Sequence, residues 1–191
     1  MKRQWNPYGM LVVSVILVTL AGCASDDVYF EPNMDFGSLQ SVAVLPFENL
    51  SSQDKAAERV RDAFSSMLLA TGALYVLPPG EVARGISTVG RIAKEGPSVE
   101  QVQKLAAALN VDAIITGVVM EYGPIRSGAT SANVISVSVK MLEKTNGLVV
   151  WSASSTKGGI TVWDRLVGGG GEPMNDVMVE AINDLLDKLF G

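Results

Sequence analysis

The chain's only cysteine, Cys23, ends a short apolar run, and that position decides which residues are free to fold. Lys2 and Arg3 open the sequence, and residues 11–20 are apolar except for Ser14 and Thr19. Ala21 and Gly22 then lead into Cys23. A basic start, a short apolar middle and a small-residue end make a secretory signal. Extended back to Tyr8, the stretch gives about 15 residues before Cys23, short of the roughly 20 that a spanning helix needs. Without residues 1–22, 169 of the 191 residues remain, enough for one domain with a core. A lone cysteine closes no internal disulfide, so that core has to hold the fold by itself.

The remaining residues exclude much common chemistry. Residues 1–22 carry Lys2 and Arg3 and no acid, so the 15 Lys and Arg fall to 13 against 20 Asp and Glu, a formal charge of −7. Nucleic acid is not an expected partner, because binding it needs a basic face. The chain has no histidine, which removes histidine triads, histidine-bound metals and an imidazole base. No cofactor and no metal is expected, and no catalytic residue is nominated.

Along the chain the periodicity alternates. Val42, Ala43, Val44 and Leu45 form an apolar run stopped by Pro46, which suits a buried strand. Ser51 and Asp54 have capping spacing, and Ala57, Val60, Phe64, Met67 and Leu68 recur as one helix face. Residues 74–77 read as a second strand, and Pro78-Pro79 opens a helix through about residue 86. Ser98 and Gln101 make a capping box before Val99, Val102, Leu105, Ala106 and Leu109. Residues 111–122 read as a strand and 123–133 as a polar loop. Residues 134–144 and 148–156 read as strands joined at Asn146-Gly147, a strong hairpin signal. In the first of them Ile135, Val137, Val139 and Met141 alternate with Ser136, Ser138 and Lys140, so one face is expected to stay half exposed. Pro173 starts a last helix with Val177, Ala181, Leu185 and Leu189 as its core stripe. The order β-α-β-α-α-β-β-β-α predicts an α/β fold: a single domain with a mixed β-sheet flanked by helices.

Three segments carry a family resemblance: Val42-Ala43-Val44-Leu45-Pro46-Phe47-Glu48-Asn49, Val111-Asp112-Ala113-Ile114-Ile115-Thr116-Gly117-Val118-Val119-Met120-Glu121-Tyr122, and Gly147-Leu148-Val149-Val150-Trp151-Ser152-Ala153. Together they resemble the periplasmic domain of curli assembly and secretion lipoproteins, which related activators of penicillin-binding proteins share. Leu20-Ala21-Gly22-Cys23 is similar to the end of a bacterial lipoprotein signal. The resemblance implies a signal over residues 1–22, cleavage between Gly22 and Cys23, and lipidation of Cys23 with acyl chains such as palmitate. It also implies a lipidated N-terminus and short tether over residues 23–38 and a periplasmic domain over 39–191. Ala24 and Ser25, rather than Asp, follow the cysteine, which implies the outer membrane and a periplasm-facing domain. The tether over residues 24–38 reaches at most roughly 50 Å, and Tyr29 and Phe30 suggest that part of it packs on the domain and shortens that reach. Curli exporters also carry barrel hairpins, each needing two strands of roughly 9–11 residues. Residues 123–133 and 157–171 are too short for one, so no transmembrane barrel hairpin is expected. The implied role is a non-enzymatic assembly or export factor of the cell envelope that binds envelope proteins and is able to form a homo-oligomer. The alternatives are an activator of a penicillin-binding protein and, more remotely, a carboxylate-based hydrolase.

Candidate contacts are few. Trp163 and Arg165 lie in a loop and are types enriched in binding hot spots. Asp176, Glu180 and Asp184 share one face of the last helix, where like charges form a solvated face or dock a basic partner. Gly168, Gly169, Gly170 and Gly171 read as a hinge, because no Lys-Ser or Lys-Thr follows for phosphate and Glu172 would repel it. Trp151 reads as core. Asn49, Ser51 and Ser52 follow the first strand's carboxyl end and read as capping residues.

Overall fold

The computed structural model describes residues 28–90, 92–93, 96–128, 130–160 and 171–191. The strands are β1 (Val28–Phe30), β2 (Ser41–Val44), β3 (Glu48–Asn49), β4 (Tyr75–Val76), β5 (Ala113–Ser127), β6 (Thr130–Glu143) and β7 (Val149–Gly158). The helices are α1 (Ala56–Ala70), α2 (Pro79–Val89), α3 (Val99–Leu109) and α4 (Met174–Phe190). All seven strands join one sheet in the order β1-β7-β6-β5-β2-β4, with β3 added beside β5. β2 is parallel to β4 and β5, and the β5–β6, β6–β7 and β1–β7 pairs are antiparallel. The mixed sheet flanked by helices is the expected α/β architecture.

The two faces of this sheet differ. α1 and α4 cover one face, where Phe64, Leu68, Ile182 and Leu185 bury against Val42, Val44, Ile115, Val137, Val139 and Trp151. The stripe Val177, Ala181, Leu185 and Leu189 is buried as its spacing requires. α2 and α3 cover only a corner of the other face, packing Val82, Val102 and Leu105 on Ala43, Leu45, Ile114 and Leu142. Beyond that corner Val118, Ser136, Ser138, Ser152 and Ser154 are half-buried, and Lys140 and Thr156 are exposed. The serine alternation in β6 is therefore the mark of a strand covered on one side.

Local signals explain the element ends. Ser98 Oγ accepts from the Gln101 amide at 3.3 Å, and Gln101 Oε1 accepts from the Ser98 amide at 3.0 Å. This is the expected capping box at the start of α3. At the β6–β7 turn the Leu148 amide donates to Asn146 Oδ1 at 2.8 Å, and Gly147 takes φ +65°. A side chain at 147 would also meet Val99 within 3.0 Å, so the turn needs glycine twice over.

The structure departs from the sequence-based expectation in four places. Residues 28–38, expected as tether, form β1 and a short 3-10 turn at Phe36–Ser38. β3 is a second added strand. Residues 123–133, expected as a polar loop, are paired: Gly123 faces Val134, Ile125 faces Ala132 and Ser127 faces Thr130. Their glycine, proline and serine content lowers strand propensity, but each backbone finds its hydrogen-bond partner in the other, and pairing overrides propensity. Lastly, Ser51 and Asp54 do not cap α1, whose N-cap is Lys55 with no side-chain bond. Asn49 ties that loop instead: its Oδ1 accepts from the Ser51 amide and hydroxyl, and its Nδ2 donates to the Gln53 carbonyl at 2.8 Å.

Candidate functional site

The boundary of the α2–α3 corner opens a cleft of about 550 Å³. One wall is the chain that leaves β2. Val44 pairs with Ile115 and Glu48 with Val118, so three residues, Leu45, Pro46 and Phe47, stand against two, Thr116 and Gly117. The extra residue bulges outward at Pro46, which has no N–H to leave unpaired. The Leu45 amide still donates to the Ile115 carbonyl at 2.8 Å, and the Leu50 amide to Val119 at 2.9 Å. The opposite wall carries Ile86 from α2 with Ile92 and Ala93 after it. β5 and β6 supply Thr116, Val118, Ser138 and Lys140. A Cβ on Gly117 would stand 3.0 Å from both the Phe47 ring and the Ser138 carbonyl, so glycine is what lets Phe47 close down on the strand.

The chemistry of this cleft is that of a binding surface. Its walls are apolar, Thr116 and Ser138 offer hydroxyls, and Glu48 and Lys140 supply one charge of each sign. Among the described residues neither charge has an ion-pair partner. Leu50 at the rim is 62% exposed, and covering it would remove that apolar area from water. Pro46 ending an apolar run, and hydroxyls on the outward side of β6, were the sequence signals for this site. Of its residues only Asn49 was singled out from sequence, and it serves its own loop as well as the cleft.

The other nominated residues lie elsewhere. Asp176 and Glu180 are exposed on α4, and Asp184 is half-buried. Lys157 from β7 stands 3.3 Å from Asp184 and 3.8 Å from Glu180, and Lys188 stands 3.0 Å from Asp184. Lys188 also donates to the Ser154 carbonyl at 2.8 Å. Burial works to raise the Asp184 carboxyl, but Lys188, Ser155 and Lys157 outweigh it and hold the group below the usual range. Two of the three acids thus already have cationic neighbours that fix α4 to β7. Trp151 is fully buried, and its Nε1 donates to the Lys188 carbonyl at 3.3 Å. Trp163, Arg165, Gly22 and Cys23 lie outside the described residues, as do three of the four glycines at 168–171. The hydrolase alternative needs two acids across one cleft, but Asp112 and Glu121 stand nine residues apart along one chain, roughly 30 Å at strand spacing. They share no cleft.

No family model matches the chain, and no curated protein matches it in sequence. Solved structures do match. The PelC dodecamer from Paraburkholderia phytofirmans is 20% identical, with a TM-score of 0.56 over 84% of this chain and 95% of that one. The fold is shared with the PelC protomer. Lipoprotein GNA1162 from Neisseria meningitidis is 17% identical, with a TM-score of 0.56 over 79% of this chain and 98% of its own. Protein CT253 from Chlamydia trachomatis is 14% identical, with a TM-score of 0.50 over 80% and 96% of the two chains. At these identities the likeness shows the fold: one mixed sheet with two helices packed across one face and two at a corner of the other.

Proposed function

We propose that this chain is an outer-membrane lipoprotein, anchored through acyl chains on Cys23 and facing the periplasm, that acts without catalysis as an assembly or export factor of the cell envelope. The carrying observation is a Leu20-Ala21-Gly22-Cys23 signal joined to a domain with the fold of lipoprotein GNA1162 and of the PelC protomer. Two or more acyl chains hold a protein stably to a leaflet without a protein span. The cleft at Leu45, Phe47 and Leu50 receives an envelope protein, with Trp163 and Arg165 as further contacts. The dodecameric state of PelC supports self-association of this chain as well. A curli-type transport component is the finer form of this reading.

The test is a crosslinked pull-down of the full-length protein from detergent-extracted outer membranes, sized in native gels and read by mass spectrometry. The expected result is a discrete homo-oligomer with a stoichiometric envelope partner, lost from the membrane fraction in Cys23→Ala. Ser138→Trp, which fills the cleft, should release the partner while the protein stays folded and anchored. Palmitate labelling that persists in Cys23→Ala would falsify the anchor. A lone monomer without an envelope partner would remove the assembly role.

A further inference from the structure

We propose that the free end of the β5–β6 hairpin rests on the leaflet that holds the acyl chains, with Arg126 among anionic lipid headgroups. This rests on the lipoprotein reading of Cys23 and adds the orientation of the domain to it.

The first argument is covalent length. β1 is part of the sheet: Val28 faces Ala153, Phe30 faces Trp151, and the Glu31 amide donates to the Val150 carbonyl at 2.8 Å. Val28, Met34 and Phe36 pack against the main core. Only residues 24–27 then separate Cys23 from folded chain, and five Cα steps reach at most about 18 Å. A lipidated Cys23 keeps the start of β1 within that distance of the headgroups, far less than the roughly 50 Å available if residues 24–38 were all tether.

The second argument is direction. β1 and β6 are both antiparallel to β7, so they are parallel to each other and begin at the same end of the sheet. Val28 is level with Ala153, and Ala153 with Val139. From Val139 back to Thr130 is nine residues, roughly 30 Å at strand spacing. The hairpin tip therefore lies roughly 30 Å ahead of the start of β1, and with at most about 18 Å between Cys23 and Val28 the tip and the anchor meet one leaflet when the strands lean by roughly 50° or more from the membrane normal. Twist of about 20–25° per neighbouring strand fans the two apart without reversing either.

The third argument is charge. The mature chain is net acidic, yet residues 122–142 contain no Asp or Glu. That stretch carries Arg126 and Lys140, Arg126 is the only charge among residues 124–133, and Pro124, Ile125, Arg126 and Ser127 are all exposed. The β1 edge, the alternative surface to lay on a membrane, carries Glu31 and Asp35, which an anionic leaflet repels. Beyond the last β7 pair, Val134 with Gly158, residues 124–127 and 130–133 of the hairpin extend, with Gly159 bonded to Asn133 and Gly171 to Ser131 beside its base. Four residues per strand rise about 13 Å and cannot cross the roughly 30 Å hydrocarbon core, so the arm touches without spanning. Asn133 Nδ2 donates to the Glu172 carbonyl at 2.7 Å and braces the arm's base.

The test uses the full-length lipoprotein in mixed vesicles of phosphatidylethanolamine and phosphatidylglycerol. Ser127→Cys at the tip, or Thr145→Cys at the opposite end of the sheet, carries a fluorophore. Lipid-borne and aqueous iodide quenchers report its surroundings. The mass of the N-terminal peptide reports lipidation of Cys23. The expected result is a Ser127 label quenched by lipid and shielded from iodide, and a Thr145 label with the reverse pattern. Adding Arg126→Glu should lower the tip's contact with lipid roughly five-fold or more. Lipidated protein whose two labels are equally open to iodide overturns the arm contact and leaves the anchor intact. A tip shielded from both quenchers, with tip-to-tip crosslinks between copies, assigns the arm to a protein interface and overturns the proposal. An unmodified Cys23 overturns both readings.

Discussion

Asp112 joins two segments far apart in sequence through one carboxylate. Its Oδ2 accepts from the Gln40 and Ser41 amides and the Ser41 hydroxyl, and its Oδ1 accepts from Lys144 Nζ at 2.6 Å. Lys144 is the main cause, with the Ser41 and Gln40 bonds added, of a carboxyl held at about 2 although partial burial opposes it. A folded pKa below the unfolded one stabilises at neutral pH. That contribution is present above about pH 3.8 and is lost as pH falls through about 2. Asp112→Asn should cost about 1–2 kcal/mol at pH 7, allowing for solvent around the half-exposed Lys144, and much less at pH 2. Urea titrations of the two proteins at both pH values check this.

At the scale of elements, packing and capping contribute separately. α3 has its capping box and an αL residue, Asn110 at φ +53°, at its end. Ser98→Ala should remove about 1 kcal/mol and lower Tm by roughly 2–4 °C, read by thermal circular dichroism. α1 has no side-chain cap, so its order depends on the buried stripe Val60, Phe64 and Leu68. The helices and the capping box were legible because period and cap chemistry are local. The outer half of the β5–β6 hairpin was not, because Gly123, Pro124 and Ser127 are held by pairing to residues on another strand.

For the whole molecule, the sheet's edge decides where the domain begins. A chain starting at residue 28 keeps β1, whereas one starting at residue 39 loses it and bares the β7 edge. The shorter chain also loses the packing of Val28, Met34 and Phe36. It should be less stable by about 3 kcal/mol or more and aggregate on heating, since an unpaired strand edge templates association. Melting curves and light scattering of the two truncations measure this.

By itself the sequence determined the local periods, the turn at Asn146-Gly147, the capping box at Ser98 and the chemistry this chain lacks. Each depends on residues within a few positions of one another. It also showed, through Ser136, Ser138 and Lys140, that β6 has one uncovered side. Only the tertiary structure decided what borders that side. The cleft needs Pro46 and Phe47 after β2, Ile86 from within α2, and Ser138 from a strand far along the chain, brought together by sheet order. The length of the tether was likewise a tertiary matter. Val28, Tyr29 and Phe30 carry no strand signal strong enough to stand alone, and they become a strand because β7 offers an open row of donors and acceptors.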